Sequence, residues 1–107
     1  MAEAIQLVKS EFFKSLAHPV RIRALELLAD GERSVTELSE LVGIESSHMS
    51  QQLGVLRRAA LVRPRKDGLT VYYSLTDARI AEILQLARDI LVTYLREAVD
   101  QLSGLER

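Results

Sequence analysis

Residues 34–58 read SVTELSELVGIESSHMSQQLGVLRR, two short helical patterns parted by one glycine. Ser34-Val35-Thr36-Glu37 has the form of a capping box, in which Ser34 and Glu37 satisfy backbone amides that the first turn of a helix leaves open. The helix that follows carries Val35, Leu38, Leu41 and Val42 on its apolar side. Gly43 ends it after about two turns, since glycine accepts the left-handed conformation that closes a helix. A second pattern begins at once, with Met49, Leu53 and Leu56 on the buried side and Ser46, Ser47, His48, Gln51 and Gln52 on other faces. Two short helices around a tight glycine turn form a helix-turn-helix.

Beyond Leu61 the period changes from helical to alternating. Residues 61–66 and 69–75 read as two strands, with Asp67-Gly68 between them as the hairpin turn. Pro64 has no amide hydrogen, which confines its strand to an edge or to an irregular start. Alternation sends Tyr72 and Tyr73 to opposite faces, one into the core and the other to support the hairpin or reach a phosphate. Thr76 or Asp77 caps a last helix. Along that helix Ile80, Ile83, Leu84, Ala87, Ile90, Leu91, Tyr94, Leu95, Ala98 and Leu102 share one side for about seven turns.

On the N-terminal side, Ile5, Val8, Phe12, Phe13 and Leu16 recur at helical spacing and predict a first amphipathic helix over 5–16. Ala17-His18-Pro19 stops it, because the residue before a proline avoids the helical region, while proline itself suits a first helical turn. The second helix therefore starts at Pro19, runs through Ile22, Leu25 and Leu28, and ends at Asp30-Gly31. The expected architecture is mainly α with a small β-hairpin, in the order α-α-α-α-β-β-α. A last helix of this length outruns the body it must cover. Ile5, Val8 and Phe12 of the first helix, with Ile83, Ile90, Leu91, Tyr94, Leu95 and Leu102 of the last, are expected to meet a second copy across a two-fold axis.

A chain of 107 residues, 48% of them apolar, supports one hydrophobic core, so residues 1–107 read as a single domain. No apolar run approaches the ~20 residues that cross a bilayer, and the N-terminus carries Glu3, Lys9 and Glu11 instead of an export signal. There is no cysteine, which excludes disulfides and thiolate chemistry; a cytoplasmic location without a membrane partner is expected. The net charge of -1 conceals a polarity. Residues 46–76 hold Arg57, Arg58, Arg63, Arg65 and Lys66 against Asp67 alone, a local balance of +4 that leaves -5 for the rest. Such a field turns one face toward a polyanion without a basic pI.

The order of elements, together with the stretches LAHPVRIR (16–23), GERSVTEL (31–38), MSQQLGVL (49–56) and GLTVYYSL (68–75), resembles the ArsR/SmtB family of bacterial winged-helix repressors. The resemblance covers nearly the whole chain and implies a homodimer that represses transcription by occluding a promoter. The residues support DNA contact in their own right. Ser46, Ser47, His48, Ser50, Gln51 and Gln52 are short polar groups in the N-terminal half of the second helix of the motif, where a recognition helix meets the major groove. Gln51 and Gln52 are the candidates for base edges, since glutamine can make two hydrogen bonds to adenine, whereas the serine hydroxyls suit phosphates. Arg57 is a further DNA candidate, although it and Arg58 also complement the dipole at the helix end. Arg65 and Lys66, beside the turn, are expected to offer two cations at the hairpin tip to the DNA backbone or minor groove.

The chain also departs from the family pattern. The family's cysteine ligands in the motif's first helix fall on Ser34, Thr36 and Ser39, and neutral hydroxyls are poor ligands for soft ions. Its second metal site falls on Asp77-Ala78-Arg79 and Ile90-Leu91-Val92-Thr93, where only Asp77 keeps a ligand and Arg79 brings a cation. No metal or other cofactor is expected, although Asp89, Glu97 and Asp100 could meet across a dimer around a hard ion. Relatives often have glycine at the position of Ala60, a place that suits a left-handed residue, so either the turn differs here or Ala60 tolerates the strain. Gly54, inside a helix, predicts close packing against the second helix.

Catalysis is excluded by the inventory: no cysteine, two histidines without a partner at motif spacing, and no phosphate-cradling glycine loop. A second reading makes the chain a winged-helix interaction module that works with a separate sensor protein and touches DNA weakly; binding to duplex that falls steeply with salt separates the two. The effector is left open between an organic ligand, an unusual metal site, a partner protein and none.

Overall fold

His18 adopts an extended conformation, and its Nδ1 accepts a hydrogen bond from the Val20 amide at 3.1 Å, so it caps the helix that Pro19 begins. This corner parts α1 (Ala2–Leu16) from α2 (Pro19–Leu28) in the computed structural model, which describes residues 2–105. α1 starts three residues ahead of the periodic stretch, because Ala2, Glu3 and Ala4 are good helix formers and Glu3 suits the first turn. Gly31, at φ +135°, turns the chain out of α2.

Arg33–Ser34 form a two-residue strand, β1, absent from the sequence reading because two residues carry no period. Ser34 also caps α3 (Val35–Val42), its Oγ accepting from the Glu37 amide at 3.0 Å. Only this half of the capping box forms: the Glu37 carboxylate turns to Arg33, whose Nε donates to the Leu27 carbonyl at 2.8 Å. One guanidinium thereby ties the end of α2 to the start of α3. Gly43 is left-handed at φ 81°, as its place predicts, and α4 (Ser46–Arg58) follows.

α4 ends in a Schellman turn, with the Leu61 amide donating to the Leu56 carbonyl at 2.9 Å and the Ala60 amide to Arg57 at 2.9 Å. Ala60 occupies the glycine position of that turn at φ 62°, so of the two alternatives the turn is kept and the strain tolerated. β2 (Val62–Asp67) and β3 (Thr70–Leu75) then form the hairpin, and β1 pairs on the far side of β3 to give an antiparallel sheet in the order β1-β3-β2. β2 is the edge strand that Pro64 requires. The turn is Gly68-Leu69, one residue beyond the expected Asp67-Gly68, since Asp67 still pairs with Thr70. Gly68 takes the positive φ, 62°, at the first central position, where a II′ turn places its glycine.

Leu25 of α2, Leu38 of α3, and Met49, Leu53 and Leu56 of α4 are fully buried, and Val62, Tyr73 and Ile80 close the core from the sheet and from α5 (Arg79–Leu105). Tyr73 is the core member of the tyrosine pair. Asp77 caps α5, its Oδ1 accepting from the Arg79 amide at 2.9 Å. Thr76 instead donates its hydroxyl to the Ala60 carbonyl at 2.7 Å and pins the Schellman corner. Gly54 departs from expectation. A Cβ built there would meet only the Arg58 guanidinium of its own helix, at 3.4 Å, so no packing against α2 requires the glycine.

Candidate nucleic-acid interface

Burying Met49, Leu53 and Leu56 fixes the roll of α4 and leaves its polar residues outward. Ser46, Ser47, Ser50 and Gln51 are exposed, while His48 and Gln52 are half-buried. Glu45 precedes the helix in an extended conformation without a side-chain cap, which leaves first-turn amides on the same end as the serine hydroxyls. That end therefore offers a concentration of donors suited to phosphate oxygens.

Two members of the group are tied to α2. The His18 and His48 rings meet edge to face with centroids 6.3 Å apart, a pairing that no spacing in the sequence predicts. Gln52 Oε1 accepts from Arg21 Nη1 at 3.0 Å. Arg57 lies ten residues past Ser47, about 15 Å along the axis, in the last turn with Arg58. Both are exposed there and complement the helix dipole.

The wing differs from the expected pair of cationic fingertips. Arg65 makes two hydrogen bonds to Glu32, at 2.9 and 2.7 Å, and lies over the Tyr72 ring at 4.7 Å. Strand alternation also sends Arg65 and Lys66 to opposite faces of the hairpin. The Arg65 hydrogen bond holds Glu32 below its ordinary carboxylate pKa, and Glu32 raises that of Arg65 in turn. Part of the local positive charge counted along the sequence is thus neutralised by a residue outside that segment. Among the described residues, Arg63 and Lys66 make no ion pair and are exposed. Tyr72 is the tyrosine that braces the wing.

Two of the three hydroxyls and the carboxylate at the family's metal positions are engaged otherwise, while Thr36 is exposed. Ser34 caps α3, Ser39 is buried and donates to the Val35 carbonyl at 2.7 Å, and the Asp77 carboxylate receives the Arg79 guanidinium at 2.7 Å. The Arg79 side-chain bond, with the Arg79 amide second, lowers the Asp77 pKa to about 2. Among the described residues no group of three or more histidine, aspartate or glutamate side chains could hold a metal ion.

Residues 18–63, which span α2 through the start of β2, match the family model of the bacterial regulatory proteins of the arsR family. Over 105 residues the chain is 52% identical to the uncharacterized HTH-type transcriptional regulator Rv0081 of Mycobacterium tuberculosis, covering 97% of this chain and 92% of that one. The chain belongs to the ArsR family. It is also 37% identical over 89 residues to the biofilm growth-associated repressor of Xylella fastidiosa, 83% of this chain and 78% of the repressor. The crystal structure of Rv0081 superposes with a TM-score of 0.79 over 89% of this chain and 96% of that one, at 53% identity. A solution structure from Mycobacterium bovis, the homodimeric winged helix-turn-helix DNA-binding domain of Mb0332, gives a TM-score of 0.79 at 27% identity over 90% of this chain and 89% of that one. The fold of this ArsR protein is accordingly a winged helix-turn-helix, with α3 and α4 as the motif and β2-β3 as the wing. It is a DNA-binding transcriptional regulator and not an enzyme.

Proposed function

We propose that two copies join through α1 and α5 and hold their α4 helices in successive major grooves of one duplex, so that the bound dimer occludes a promoter in the cytoplasm. One observation carries this reading: the same chain exposes a polar face on α4 and a long apolar face on the terminal helices. Leu91, Tyr94 and Leu95 are 58%, 67% and 61% exposed, and Ile5, Val8, Ile83, Ile90 and Leu102 are exposed with them, while Phe12 is half-buried beside the core. Apolar area on that scale is rare on a monomer surface and favours a partner of the same chemistry, such as a second copy.

Ser46, Ser47 and Ser50 would hold phosphates, Gln51 and Gln52 would read base edges, and His48 would stand between groove and α2. Lys66 and Arg63 would supply the wing's free charge. Arg57 and Arg65 take lesser parts, the first at the far end of α4 and the second engaged with Glu32. Sedimentation of the free protein should give twice the 12.0 kDa chain mass. Its affinity for a selected duplex should fall steeply on a log-log plot against salt. A monomeric mass, or duplex affinity indifferent to salt, would sink the reading. Replacing Gln51 and Gln52 together by alanine should erase sequence preference and leave nonspecific affinity in place.

A further inference from the structure

Gln52 has no choice over which end of its amide it turns outward. Arg21 faces it at 3.0 Å, and a guanidinium carries donors only, so the atom opposite must be the carbonyl oxygen. Arg21 is itself held from the other side. Its Nε donates to the Ser15 carbonyl at 2.8 Å and its Nη2 to the Lys14 carbonyl at 3.4 Å. Those carbonyls belong to the last turn of α1, where backbone acceptors lack helical partners and the dipole favours a cation. Both side chains are half-buried, which strengthens the bonds between them. Among the described residues Gln52 Nε2 donates to no protein group, and no buried side-chain nitrogen or oxygen lacks a partner. The amide –NH2 is therefore the end of Gln52 that remains open to solvent.

We propose that Arg21 makes Gln52 a donor-only reader, which selects guanine and rejects adenine at one base pair of each half-site. The inference rests on α4 being the helix that reads the groove. A free glutamine recognises adenine by accepting from N6 and donating to N7. With Oε1 turned toward Arg21 and the –NH2 outward, the adenine amino group meets a donor instead of an acceptor and would be desolvated without a partner. Guanine offers O6 and N7, two acceptors side by side, which suit an outward –NH2. Gln51 is exposed, and among the described residues its side chain makes no hydrogen bond, so it keeps both ends of its amide. Two adjacent glutamines thus read different edges because α2 holds one of them. Arg21 is a positioning residue and touches no base.

The test is selection of duplexes from a random pool by the full-length protein and three variants. Wild type should enrich guanine at one position per half-site, and Gln52→Ala should relax that preference by about fivefold or more while leaving the other positions alone. Arg21→Leu should move the same position from guanine to adenine, a switch that mere loosening of α4 would not produce. Gln52→Glu provides a second route that keeps an acceptor for Arg21 and so does not threaten the fold. It turns an acceptor outward and should move the position to cytosine, whose N4 donates. Adenine at that position in wild type, a guanine preference unmoved in folded Arg21→Leu, or one unmoved in Gln52→Glu would overturn the proposal. If duplexes are enriched and Gln52→Ala changes nothing, the role of Gln52 fails alone; if no duplex is enriched, the reading of α4 as the groove helix fails and takes this one with it.

Discussion

Ala60 holds the left-handed position of the turn after α4, and an L-residue with a Cβ pays about 1 kcal/mol for that conformation. The turn keeps it because Leu61 must reach the core and Thr76 clamps the Ala60 carbonyl. Ala60→Gly should relieve more than it loses to the freer unfolded chain, and thermal melting should show a Tm higher by a few degrees. An unchanged or lower Tm would contradict the strain. Asp77 is the second residue with a local signature. Its folded pKa of about 2 lies below the ordinary aspartate value of 3.8, so its contribution to stability is complete above about pH 4 and is lost as pH falls through 2. Followed by NMR, its carboxyl should titrate near 2 in wild type and return toward 3.8 in Arg79→Ala. A midpoint that stays low without Arg79 would assign the shift elsewhere. Both residues were legible in part: the sequence set Ala60 at a place that suits a left-handed residue and offered Thr76 or Asp77 as the cap, but the choice of Asp77 and the Thr76 clamp needed the fold.

Among the elements, α4 carries a glycine that its surroundings do not require. Gly54→Ala should add about 1 kcal/mol of helix propensity, since only the flexible end of Arg58 stands near the new methyl group. A drop in Tm would show a close neighbour after all. In the wing, Lys66→Ala should weaken every duplex alike and lower the salt slope by about one unit. Arg65→Ala should change that slope less, because its charge is already matched by Glu32. Equal slopes for the two variants would mean that Arg65 exchanges Glu32 for phosphate on binding. The helices and the hairpin were readable because each repeats a period over many residues. β1 was not, for it is two residues long and exists only through its pairing with Tyr72 and Tyr73. The partners of Gln52 and Arg65 lie 31 and 33 residues away in the chain, beyond any spacing rule.

At the scale of the whole molecule, the 27 residues of α5 make a rod of about 40 Å of which Ile80 alone is buried. The principal extents, 61 × 42 × 21 Å, show how far that rod stands out from the core. An apolar stripe of this length, and its excess over the body of one chain, were evident from the sequence; that Ile80 would be its one buried residue was not, because burial depends on where α2 and the sheet end. Joining two such stripes would set the distance between two α4 helices, and that distance decides whether both can enter one face of B-form DNA. Hydroxyl-radical footprinting of the protein on a selected duplex measures it directly. Two protected windows about 10 bp apart on the same face are predicted, one for each groove entered. A single window of half-site length, or two windows about half a turn out of phase, would contradict the account.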